Sequence, residues 1–173
     1  MKNEIFNNIA KIFNNLPKKI INNKNHDYLT DCILYELSQE FCLHFNEVAY
    51  FIYNPDFHLC KGIAGIKKNE VKTFCNDPWE NINDFETTIK ETIYNKKIKN
   101  MQFCTLFSEK NIEKIIQEIQ KSIEIKSSDY YSWNLPNNNF GILLFENAFI
   151  ENKFNYKEYI ENAGNILAFC PIN

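Results

Sequence analysis

An α+β fold is predicted for this chain: an antiparallel sheet of five to six strands with helices packed mainly on one face. Three observations predict it. Two short, almost wholly apolar runs, Val48 to Tyr53 and Phe140 to Phe145, lie beside the turn clusters Asn54-Pro55-Asp56 and Pro136 to Asn138 and read as strands buried on both faces. Their companions, Phe57 to about Ile66 and Asp129 to Leu135, alternate with period two, so each apolar run belongs to a hairpin. Strands grouped as hairpins, instead of being separated singly by helices, argue for antiparallel pairing with the helices to one side.

From the N-terminus, Ile5, Ile9, Ile12, Phe13 and Leu16 recur at helical spacing, and the stripe is expected to end before Pro17. Residues 1–25 are therefore read as a helix and connector preceding a domain at 26–173. That helix needs a partner, either the domain or a second copy of itself in a dimer of about two heptads. Asp27 can cap a longer helix reaching about Phe45, with Leu29, Cys32, Ile33, Leu37 and Phe41 on one face. After the first hairpin, Val71 to Cys75 reads as a short strand. Asp84 caps a helix carrying Phe85, Ile89 and Ile93, and Met101 to Phe107 alternates like a strand. Ser108 is an N-cap for the cleanest amphipathic stripe in the chain, Ile112, Ile115, Ile116, Ile119 and Ile123. The closing hairpin is followed by a helix from about Asn155 to Phe169, with Tyr156, Ile160, Ala163 and Leu167 together.

Composition narrows the function. At 173 residues the chain suits one domain that buries roughly 70% of its unfolded surface. All 19 basic residues are lysine and the net charge is -3, so the planar arginine fork and the general attraction that nucleic acid requires are both missing. No apolar run approaches the roughly 18 residues that cross a bilayer. The start, Met-Lys-Asn-Glu-Ile, lacks the apolar segment of a secretory signal, which makes the cytoplasm the expected compartment. Six cysteines without a Cys-x-x-Cys pair read as free thiols there.

With the elements in this order, the chain resembles a GAF domain, a small-molecule sensory module, over about residues 27–170; the related PAS-like and profilin-like layouts are the alternatives. Val48-Ala-Tyr-Phe-Ile-Tyr, Asn54-Pro-Asp and Phe57 to Gly65 are similar to that family's first hairpin. Leu135-Pro136 followed by Phe140-Gly141-Ile142-Leu143-Leu144 resembles its last hairpin, with Gly inside the final strand. Phe154, Glu158 and Ala163 resemble the opening of its last helix. Asn152-Lys153-Phe154-x-x-x-Glu158 is also similar to the pattern of cyclic-nucleotide-binding members, from which it departs at Tyr159.

The resemblance implies a non-catalytic sensor whose ligand enters between the sheet and the segment from Lys67 to Ser128, with the terminal helices carrying the signal and forming a homodimer. Aromatic residues make up 15% of the chain, so the expected ligand is small and largely apolar or aromatic, held by Phe51, Phe74, Trp79, Phe103, Phe107, Tyr131 and Trp133. No cofactor is identified. Cys42-x-His44 and His58-x-Cys60 concentrate metal-type ligands, but helical and strand directions keep the four from converging. Cys60, Cys75 and Cys104 lie in or beside the pocket-lining segments that the resemblance implies, where some relatives reduce oxidised methionine. A thiol enzyme is thus one alternative; a protein-interaction module without a pocket is the other.

Overall fold

The computed structural model describes residues 2–24, 26–71, 77–104, 112–123, 129–147 and 156–170. Its elements are α1 (Lys2–Asn22), α2 (Leu29–Leu37), β1 (Phe45–Asn54), β2 (Leu59–Lys67), α3 (Ile82–Glu91), α4 (Ile93–Lys99), β3 (Gln102–Cys104), α5 (Ile112–Ile123), β4 (Asp129–Asn134), β5 (Phe140–Asn147) and α6 (Tyr156–Leu167). The five strands form one antiparallel sheet in the order β3-β2-β1-β5-β4, as the α+β reading requires. The two apolar runs are neighbours at its centre, in register from Val48 opposite Phe145 to Tyr53 opposite Phe140.

Both faces of these central strands are covered, which is why their sequences do not alternate. Val48, Tyr50, Ile52, Leu143 and Phe145 pack in one core with residues of α1, α2, α3 and α6. Ala49, Phe51, Tyr53, Ile142 and Leu144 pack in a second core with α4 and α5. Of the described helices, four therefore cover one face and two the other.

Local expectations shift in four places. The first helix continues through Pro17 to Asn22. Proline in a helix interior removes one hydrogen bond at a cost of about 3 kcal/mol; burial of Leu16 and Ile20, each worth about 1.5–3 kcal/mol, offsets it. The Ile9, Ile12, Leu16 and Ile20 stripe is buried in the chain's own fold, so it is not available to a second copy. The second helix stops at Leu37 instead of near Phe45, because Leu43 N–H returns to the Leu37 carbonyl and His44, at φ 52°, turns the chain into β1; Phe41 is left exposed. The second strand starts at Leu59, since Asn54 Oδ1 accepts the Phe57 N–H and extends the turn. Finally, the helix expected to carry Ile93 breaks at Thr92 (φ -67°, ψ 134°), and Ile93–Lys99 forms a separate helix with Ile93 exposed. The expected strand over Val71 to Cys75 and the Ser108 cap lie largely or wholly outside the described residues. No described helix is long and apolar enough to cross a membrane.

Candidate functional site

Among the described residues, the rings singled out in the sequence divide between the two cores and do not line one pocket. Phe51 is fully buried in the core beneath α4 and α5, with Phe103 packed partly buried at its margin. Trp79, Tyr131 and Trp133 belong to the opposite core, and Phe74 and Phe107 lie outside the described residues. Trp133 stacks between Tyr50 (centroids 5.5 Å apart) and Tyr131 (5.9 Å), over Gly141, its partner across the β4–β5 pair. A Cβ on Gly141 would stand 2.4 Å from the Trp133 ring, so the glycine makes room for the indole. Trp79 packs against its own core and donates its indole N–H to Glu36, with the Lys19 ammonium 5.5 Å from the ring. These contacts are packing.

The metal-type residues also separate. Cys42 lies in one core and Cys60 in the other, while His58 sits at φ 51° in the turn before β2. Among the described residues no three His, Cys, Asp or Glu side chains are placed to hold a metal ion. Burial pushes the thiols of Cys42 and Cys60 up to about 12 and that of Cys170 up to about 11, and raises Cys32 further, opposite to the shift that activates a nucleophile. Of the described cysteines only Cys104 is exposed. Labelling the native protein with an aromatic disulfide near neutral pH is therefore expected to modify Cys104 rapidly. Cys32, Cys42, Cys60 and Cys170 should react only on unfolding; fast reaction of any of these four, located by peptide mapping, would contradict the packing.

The polar chemistry gathers at the edge of β2. Strand β3 pairs only with Leu59 to Lys61, so the rest of that edge needs other acceptors. Gly62 N–H donates to the Met101 carbonyl (2.9 Å), and Gly65 N–H donates to Asn95 Oδ1 of α4 (2.9 Å). The same Asn95 amide donates through Nδ2 to Asp31 Oδ1 of α2 (2.8 Å), while Lys99 Nζ donates to Asp31 Oδ2 (2.9 Å). Asp31 is 1% exposed in a helix whose nine residues are all buried. Burial raises its pKa, against the opposing pull of the Lys99 ammonium and the Asn95 amide.

Above this carboxylate lies a cleft of about 420 Å³ lined by Tyr28, Thr30, Asp31, the β2 edge from Lys61 to Ile63, and Glu86, Lys90 and Lys99, with Asp27 also at its wall. The Lys99 and Lys90 ammonium groups stand 4.1 and 5.0 Å from the centre of one ring, that of Tyr28. Lys90 is also paired with Glu86. A second cleft of about 390 Å³ is lined by Glu40, Asn46, Glu47, Lys67, Lys68, Asn69 and Glu146. There Glu47 is flanked on the sheet by Lys67 and Glu146 and is ion-paired with Lys67.

None of Tyr28, Asp31, Lys90, Asn95 or Lys99 stood out in the sequence. One signal was present: an aspartate inside Leu29-Thr-Asp-Cys-Ile-Leu, a stretch apolar enough to be buried on all sides, needs a partner. Compared with family models, curated proteins and solved structures, the chain matches none.

Proposed function

We propose that this protein is a GAF-like regulatory module that binds a small polar molecule in the cleft between α2, α3, α4 and the β2 edge. The observation that carries the reading is the buried Asp31 carboxylate at the cleft floor, held by Asn95 and Lys99. Ligand sites are typically concave, about 300–1,000 Å³ in volume, with a few convergent polar groups. The lining of this cleft is mostly polar and charged, so the ligand this reading favours is polar where the aromatic excess alone had suggested an apolar one.

The same helix offers a route outward. Asp31 and Glu36 both lie on α2, and Glu36 accepts from Lys19 Nζ of α1 (2.9 Å) and from the Trp79 indole. A ligand that alters the hold of Lys99 on Asp31 biases α2, and with it the contact to the terminal helix α1. A homodimer in this reading uses surfaces other than the buried stripe of α1. The described cysteines are unbridged, which suits a reducing cytoplasm.

Thermal-shift screening of a library of small polar metabolites tests the proposal. The expected result is a set of stabilising compounds whose effect disappears in Tyr28→Ala, which removes the ring at the cleft wall. Stabilisation that survives in Tyr28→Ala, or none across the library, overturns the reading. The packing of Phe51, Tyr131 and Trp133 into the two cores favours one other reading, an interaction module docking a partner through the β4–β5 hairpin or α5; crosslinks to those elements without any small-molecule stabilisation would select it.

A further inference from the structure

Resting on the reading of the β2-edge cleft as a ligand site, we infer that its ligand is a small anion that presents a carboxylate or phosphate group to Lys90 and Lys99. Summed over its lining, the cleft is neutral: Asp27, Asp31 and Glu86 balance Lys61, Lys90 and Lys99. Exposure alone does not separate the signs, since Asp27 is exposed and Glu86 keeps 31% of its side-chain surface; the asymmetry lies in the three donors that each ammonium has to place. Asp31 is sealed at 1% exposure, and its oxygens are engaged by Asn95 and Lys99. Glu86 is paired with Lys90. The side chains of Lys99 and Lys90 keep 32% and 51% of their surface.

An ammonium carries three N–H donors and no acceptor. Lys99 spends one on Asp31, and Lys90 spends one on Glu86 and interacts with the Tyr28 side chain. Each therefore retains donor capacity, and both ammonium groups lie within 5.0 Å of the centre of the Tyr28 ring at the cleft wall. An anion that reaches both ammonium groups offsets their mutual repulsion while gaining charge-assisted hydrogen bonds. Drawing Lys99 toward the anion weakens its hold on Asp31, which links occupancy to α2.

The test is a chemical-shift titration of the isotope-labelled full chain with inorganic phosphate, benzoate and ethylammonium at matched ionic strength. Phosphate or benzoate is expected to shift the amides of Tyr28, Gly62 and Lys99 saturably, and whichever binds tighter identifies the anion class. In Lys90→Met, which keeps the apolar stem and leaves the Asp31 contacts in place, binding should be about tenfold weaker, as loss of one hydrogen bond to a charged group implies. Lys121→Met, on exposed α5 surface, should bind unchanged. Ethylammonium saturating the same resonances would overturn the anion assignment while leaving the cleft as a ligand site. Equal affinity in Lys90→Met and the parent, or no shift from either anion, would overturn the assignment as well; the library screen decides the broader reading.

Discussion

Gly62→Ala is expected to lower the stability of this protein by about 3 kcal/mol, the upper end of the usual cost of overpacking. A Cβ at this position would stand 2.0 Å from the Ile98 carbonyl oxygen and 2.9 Å from its carbonyl carbon. Both are main-chain atoms of α4, so no rotamer change relieves the clash and the helix itself must move. Movement there breaks the Gly62 to Met101 and Gly65 to Asn95 hydrogen bonds that close the β2 edge. Gly164→Ala is the matched control. Its Cβ would meet side-chain atoms of Trp133 at 3.1 Å, and alanine gains about 1 kcal/mol of helix propensity over glycine, so a near-neutral result is expected. Urea denaturation followed by circular dichroism measures both. A Gly62→Ala midpoint within error of the parent's would show that α4 does not sit against β2 as described.

Lys99→Met should cost about 2–3 kcal/mol near neutral pH, and that loss should shrink in acid. Removing one partner of a buried ion pair leaves an uncompensated charge, with penalties of about 3–5 kcal/mol when both partners are deep; the partial exposure of Lys99 places this pair lower. The pH dependence follows from the direction of the Asp31 shift. Burial raises its pKa in the fold above the ordinary 3.8, so the folded state holds the proton more tightly than the unfolded chain does. The stability tied to that neutral form is complete below 3.8 and is lost as the pH rises through the folded value. Deleting Lys99 removes the main group that pulls this pKa back down, so the variant's deficit grows with rising pH. Asp31→Asn in the Lys99→Met background should recover most of the loss, because an amide oxygen still accepts from Asn95 and carries no charge to bury. Denaturation at pH 5 and pH 8 checks the pair. A pH-independent deficit, or a double variant equal to the sum of its parts, would show that the Asp31 charge is not what Lys99 compensates.

The scaffold was legible because its signals are local. Val48 to Tyr53 and Phe140 to Phe145 are apolar at successive positions, a pattern that a strand satisfies only by burying both faces. The Ile112 to Ile123 stripe buries Ile115, Ile116, Ile119 and Ile123, as its helical spacing requires. Boundaries were harder to read where distant groups decide them. Thr92 interrupts what reads as one helix because Glu70, far back in the chain, accepts the Tyr94 N–H, and because the Gly62 and Gly65 surface lets α4 settle at a new angle. Pro17 suggested a helix end that the burial of Leu16 and Ile20 overrides. The aromatic residues were legible as buried groups but not as neighbours: Phe51 and Trp133 alternate onto opposite faces of the sheet, and strand pairing alone determines which rings then meet.

By itself, the amino-acid order determined the α+β class, the hairpin grouping and the two central strands, since hydrophobic periodicity encodes which faces must leave water whatever covers them. Only the tertiary structure decided the cleft. Its polar groups find their partners across 64 residues from Asp31 to Asn95 and 68 from Asp31 to Lys99, and across the backbone edge of a strand that β3 is too short to cover. Hydrogen bonds and ion pairs between such distant positions leave no period in the chain, because what selects them is the requirement that a charge taken out of water meet its complement.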